Sequence, residues 1–278
     1  LGQALQISES AMELEKNNEL TGVDFPPQEI WWWRYRTLAS VDGETREDEA
    51  WLTLEQARQR MFESVANIND EGLRRNYLNK PQVNRDISET WVVEAARRGQ
   101  SLAPFSDREI APVAVAEQLE RIVDSGARLA AERNTEALAE FVLQEFVELS
   151  GVERAIVALP GEAHEEALLE APHLDAHLRW AATEGIATGG ADIVAEFAGP
   201  FIEQAAATRT PLLVDAAGSA PQDGVPELHL RSVLALPLVS QGKVWGVLYG
   251  DMRHLFGRLN ENDRDVFSLL ANQAGAAL

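Results

Sequence analysis

Three histidines, His164, His173 and His177, stand near Glu165 and Glu166, and imidazole with carboxylate is a donor set that zinc accepts. His173 and His177 would converge only on a helix, and Pro172 with the strand-like pattern after His177 speaks against one. The spacing reads instead as solvated loop histidines. Asp251 and His254 form a second candidate, an acid–base pair just beyond an apolar strand, with no nucleophile at hand. The chain has no G-x-S-x-G elbow, phosphate-loop Lys-Ser/Thr, G-x-G-x-x-G or H-E-x-x-H. It has no cysteine, which excludes a thiol nucleophile, a thiolate zinc site, an iron–sulfur cluster and any disulfide. The expectation is a protein that is not an enzyme, with no metal site and a cofactor left unknown.

Trp31, Trp32 and Trp33 are a different kind of candidate, a surface for stacked bases or a bound peptide. Consecutive helical positions cannot all face inward, and no basic residues cluster around them, so packing or a domain contact is the favoured reading. Net charge points the same way. At −21 over 278 residues, the chain lacks the clustered cations that nucleic acid or an anionic membrane surface demands. No apolar run approaches the roughly 20 residues that span a bilayer. Nucleic acid and membrane are therefore excluded as partners, and the expected location is cytoplasmic.

The elements that must position these residues are clearest near the end. Residues 232 to 240 (SVLALPLVS) and 244 to 252 (VWGVLYGDM) are short apolar runs joined by Gln241-Gly242-Lys243, the pattern of a β-hairpin. Asn260 then stands as an N-cap, with Glu261 and Asp263 in the first turn, where the helix dipole favours negative charge. Val266, Phe267, Leu269, Leu270, Ala274 and Leu278 recur at helical spacing. Gly246 and Gly250, inside the second run, mark close packing or a bulge.

Strand, tight turn, strand, loop and helix with these residues resemble the C-terminal half of a GAF domain, the small-molecule-sensing module of phytochromes, cyclic-nucleotide phosphodiesterases and bacterial signalling proteins. Upstream elements complete an α+β pattern: a helix from about Thr135 to Leu149, strands over 154–159, 177–184 and 212–215, and a helix over 193–207. Together they make an antiparallel sheet of about five strands with helices on one side, over residues 134–278. The resemblance implies a ligand between the sheet and the segments 185–201 and 216–231. Trp180, Phe201, His229, Arg231 and Tyr249 would then line the pocket. The absence of cysteine excludes covalent bilin attachment, and the Asn-Lys…Phe…Asp-Glu signature of cyclic-nucleotide-binding members is missing.

The first part of the chain is all helical in pattern. A weak helix lies within residues 1–20, a stronger one opens at Pro26-Pro27, and a third runs from about Asp48 to Ile68. One or two more cover 72–97, broken near Lys80-Pro81. Trp32, Tyr35 and Leu38, with Ala50, Leu54 and Ala57, resemble the bulky and small positions of a tetratricopeptide (TPR) unit, which implies a protein partner for this half. Residues 99–111 are linker-like. From Pro112 to Arg133, Val115, Leu119, Ile122, Gly126 and Leu129 alternate at spacings of four and three, as in a coiled-coil seam. That seam packs either on its own domain or across a dimer.

These readings set the domains at 1–98 (helical, TPR-like), 99–111 (linker), 112–133 (connecting helix) and 134–278 (sensor). In GAF proteins a helix at the third position commonly pairs across a parallel dimer with the terminal helix. A homodimer through helices 112–133 and 260–278 is therefore expected, with Leu119, Ile122, Leu129 and Leu270 at its interface. Starting at Leu1 without Met, the chain is expected to be part of a longer bacterial signalling protein. Its output would be a histidine kinase or a sigma-54-type transcription activator. The alternative is a ligand-free interaction and dimerisation module.

Overall fold

The structure, a computed structural model, describes residues 2–17, 26–41, 44–66, 68, 70–100, 115–160, 178–186, 191–215, 231–254 and 257–278. The chain divides into two compact units: Leu1–Ile68 with Tyr77–Glu109, and Asn69–Asn76 with Ile110–Leu278. Each is described in turn.

The first unit contains α1 (Gly2–Lys16), α2 (Pro27–Ala39), α3 (Glu44–Val65) and α5 (Gln82–Arg97), and it shares α4 (Glu71–Asn79) with the second. Pro27 opens α2, where the missing N–H has no helical partner to lose. Pro81, extended at the N-cap, separates α4 from α5. The core is aromatic: Trp31, Trp32, Leu54, Ala57, Ile87, Trp91 and Ala95 pack together. Trp33 is 52% exposed, so of the three consecutive tryptophans two are core and one faces water. Arg34 is buried and donates to Leu5 O at 2.9 Å and Glu49 Oε1 at 2.8 Å, tying α1, α2 and α3 together. α3 begins four residues before the expected Asp48, because the polar stretch Glu44–Glu47 continues the helix without apolar periodicity to announce it.

The second unit is built on five antiparallel strands, β1 (Arg154–Pro160), β2 (Leu178–Glu184), β3 (Leu212–Asp215), β4 (Ser232–Ser240) and β5 (Lys243–Met252), in the order β2-β1-β5-β4-β3. Gln241 and Gly242 both take positive φ, 51° and 77°, the turn whose twist suits a two-residue hairpin between β4 and β5.

Side chains alternate across the sheet. Leu234, Leu236, Leu238 and Leu248 join α6 (Val115–Ala131), α7 (Thr135–Ser150) and α9 (Glu261–Ala277) in one core. Val233, Ala235, Val247 and Tyr249 point the other way, under α8 (Ala191–Thr208). Helices thus cover both faces of the sheet rather than the expected one. The reason is visible in β4, an unbroken apolar run buried on both sides instead of an alternating one.

Caps fix the ends of the helices. Asn134 Oδ1 accepts the backbone N–H groups of Glu136 and Ala137 at the start of α7, and Gly151 at φ 69° closes it. Asn260 and Asp263 form a reciprocal capping box on α9. Phe146 and Phe267 meet edge-on, centroids 5.2 Å apart. A Cβ on Gly250 would sit 2.5 Å from the Phe146 ring, so this strand glycine marks close packing.

Candidate functional site

The α8 side of the sheet is the place to look for a ligand, because its core is made of different material. Among the described residues, Ile156, Ala158, Ala198, Ile202, Ala205, Ala206, Val233, Ala235, Val247 and Tyr249 form it, five alanines among ten. The opposite core is dominated by leucine, with valine and alanine next. Phe201, half-buried on α8, lies with its ring 6.5 Å from that of Tyr249.

Polar chemistry on this face is concentrated at one end. Arg154 and Asp251 stand opposite each other in register, and Arg154 Nε lies 3.0 Å from both carboxylate oxygens. Tyr249 donates its hydroxyl to Asp251 Oδ2 at 2.9 Å. All three are buried. Burial pushes the Asp251 carboxyl above its ordinary value, opposed by Arg154 and by the Tyr249 hydrogen bond. Burial, and then the neighbouring Asp251 charge, raise the Tyr249 phenol well above 10, so it is a neutral donor.

Just past this end, His254 pairs through Nδ1 with Glu153 Oε2. The Glu153 carboxylate also accepts the backbone N–H groups of Arg253 at 3.1 Å and His254 at 2.9 Å. Burial alone would raise Glu153, but these hydrogen bonds and the His254 charge hold it below the ordinary carboxylate range.

The residues singled out from the sequence fare unequally. Phe201 and Tyr249 are brought together. Arg231 donates its backbone N–H to Met252 O at 2.8 Å. Its guanidinium is held below the usual arginine value by burial first and then by Arg258, against Glu153, so it answers to those charges rather than to Asp251. Trp180 takes the register position opposite Ala158, but its side chain lies outside the described residues. His229 also lies outside them, as do His164, His173 and His177.

Asp251 and His254, weighed above as an acid–base pair, bond to different partners. Asp251 turns inward to Arg154, whereas His254, beyond the strand, is taken by Glu153. Arg154 and Glu153 were the residues that sequence reasoning missed. They sit at the mouth of an apolar strand, and only the β1–β5 register shows what they face. No cluster of metal-ligating side chains occurs among the described residues.

Ile122, Leu129 and Leu270, expected at a dimer interface, are buried in the core of their own chain, and Leu119 packs against it. The outward positions of the same helices carry Val123 and Leu269, 65% and 45% exposed.

The model of one protein family, the GAF domain, matches residues 134–278. The chain belongs to the GAF family. Its GAF domain is of a kind that serves as a sensory and regulatory unit in signalling proteins. The domain is similar in fold to the GAF domain of a phosphoenolpyruvate-protein phosphotransferase from Coxiella burnetii, at 18% identity over 58% of this chain and 90% of that one, TM-score 0.41. It is similar to a GAF domain/HD domain protein from Geobacter sulfurreducens, at 14% identity over 55% and 94%, TM-score 0.39. A third similar structure is the free methionine-R-sulfoxide reductase of Neisseria meningitidis in complex with its substrate, at 21% identity over 59% and 87%, TM-score 0.41. No curated protein shows significant similarity to the chain. Among the described residues, no helix is long and apolar enough to cross a membrane.

Proposed function

We propose that this GAF domain senses a small molecule on the α8 face of its sheet and passes the change to an output domain through α6 and α9. The observation that carries the reading is the contrast between the two cores: alanine-rich under α8, with the Phe201–Tyr249 pair at its edge, and leucine-rich on the side that holds α6, α7 and α9. Small side chains beside an aromatic pair suit an apolar cavity with few polar groups. Phe201 and Tyr249 are its aromatic wall, and Trp180, Arg231 and His229 are the sequence-level candidates for the rest.

In this reading the protein acts as a homodimer through α6 and α9. Leu119, Ile122, Leu129 and Leu270 support these helices from within, while Val123 and Leu269 meet the partner. The output is a histidine kinase or a sigma-54-type transcription activator of a cytoplasmic bacterial protein, and the TPR-like first unit, with Trp33 exposed, docks a protein. Coupling runs through a two-state packing of the paired helices.

Native mass spectrometry of the purified full chain tests the sensing step. A copurified small molecule, lost in Phe201→Ala, is expected. A clean mass for both, with no thermal shift on adding a metabolite extract, overturns it. That outcome would favour a ligand-free interaction module, a reading supported by the complete burial of Ala198, Ala205 and Tyr249.

A further inference from the structure

The second unit contains a short segment remote in sequence from the rest of it. Asn69–Asn76, a stretch that includes the first part of α4, belongs with Ile110–Leu278. Asp70 caps the helix, accepting the N–H of Leu73 at 2.8 Å, and lies 3.7 Å from Arg121 on α6. Gly72 lies so close to the Leu149 and Glu148 carbonyls that a Cβ would collide with both. Asn76 Nδ2 reaches Glu148 O at 3.3 Å.

Arg75 is the centre of this segment. It is 3% exposed, and each of its side-chain nitrogens is engaged. Nε donates to Glu71 Oε1 at 2.9 Å, Nη1 to Ser150 O at 3.0 Å and Asp263 Oδ1 at 3.2 Å, and Nη2 to Arg258 O at 2.9 Å and Asp263 Oδ2 at 3.2 Å. The receiving cradle is built for it. Gly151 and Gly257 both have positive φ, 69° and 85°, and a Cβ on either would strike the Arg75 side chain.

The chemistry of the cradle explains why an arginine fits. Ser150 O lies at the carbonyl end of α7, where orphan acceptors and the helix dipole favour a cation. Asp263 lies in the first turn of α9 and is already half of its capping box, accepting the Asn260 N–H at 2.8 Å. A planar fork spans these two helix ends where a lysine would reach only one point.

We infer that Arg75 is a clamp coupling α4 to the two helix ends it bridges, so that a change at the start of α9 is felt along α4, and the reverse. α9 carries the terminal stripe of the GAF domain, and the start of α4 belongs to the same unit. The clamp therefore makes the start of α4 a party to any movement of α9. This holds whether or not the α8 face takes a ligand.

Hydrogen–deuterium exchange on the full chain tests it, read at residues 71–79 and 259–266, with 178–184 as a control. The variants are Asn260→Ala, which alters α9 without touching Arg75, Arg75→Ala, and the double variant. Asn260→Ala alone is expected to speed exchange of 71–79 by about tenfold or more, because coupled sites shift one another reciprocally. In the Arg75→Ala background the same substitution should leave 71–79 unchanged. If Arg75→Ala does not fold, Arg75→Lys takes its place and should reduce the effect of Asn260→Ala without abolishing it. The inference is overturned if Asn260→Ala leaves 71–79 untouched in the wild-type background, or alters it equally with and without the Arg75 fork.

Discussion

Arg154 and Asp251 face each other across the register of β1 and β5, with the guanidinium Nη2 3.0 Å from Asp251 Oδ2 and the carboxylate fully buried. Removing the cation strands a charge in the sheet. Arg154→Met is expected to lower stability by about 3–5 kcal/mol in urea unfolding, whereas Arg154→Met with Asp251→Leu should recover most of that loss. A double variant as unstable as the single one would show that the pair is held for more than mutual compensation.

The Tyr249 hydroxyl is the second donor to Asp251. Tyr249→Phe keeps the ring beside Phe201 and removes that hydrogen bond. The expected cost is about 1–3 kcal/mol, since a buried carboxylate loses a partner. Because the phenol of Tyr249 is pushed well above 10, its ultraviolet ionisation signal should be missing from an alkaline titration of the folded chain and appear on unfolding.

How much of this was readable from residues alone depended on whether the signal was local. The β4–β5 hairpin, the Asn260 cap and the Pro81 break were legible because turn, cap and helix-stop chemistry acts within a few positions. Arg154, Glu153 and Arg75 were not, because each meets its partner across a long stretch of chain. Arg75 and Asp263 are 188 residues apart. The seam spacing of Leu119, Ile122 and Leu129 correctly marks an apolar stripe, but such a stripe packs equally well on its own domain, and Ile122 and Leu129 are buried there. Phe201 and Tyr249 came from the family resemblance rather than from any motif.

Acid unfolding should expose Glu153. Its folded pKa lies below the ordinary value, because hydrogen bonds from His254 and Arg253 outweigh burial. As pH falls, the unfolded chain takes up this proton first, so stability present above the ordinary carboxylate range is lost downward through the folded pKa. Glu71 and Asp251, both raised chiefly by burial, act with the opposite sign, losing their contribution as pH rises. Comparing urea midpoints of wild type and Glu153→Gln isolates the first effect. Glu153→Gln is expected to be less stable at neutral pH and to converge with wild type in acid. Parallel curves throughout would assign the loss to packing.

Gly250 and Phe146 meet in tight steric contact in the GAF core. β5 passes under the ring so closely that a methyl group has no room, and the ring is itself locked edge-on against Phe267. Gly250→Ala must move the ring or the strand, and overpacking of this kind costs about 1–3 kcal/mol. Phe146→Leu trades the aromatic edge for a smaller side chain and loses contact with Phe267. Placed together, the two substitutions relieve one another, because the added methyl enters space the ring has vacated. The double variant should therefore be more stable than the sum of the single losses predicts, by at least about 0.5 kcal/mol, as expected of neighbours that share one volume. Strict additivity in urea unfolding would mean that the strand moves away from the helix instead, carrying β1 and the Arg154–Asp251 pair with it.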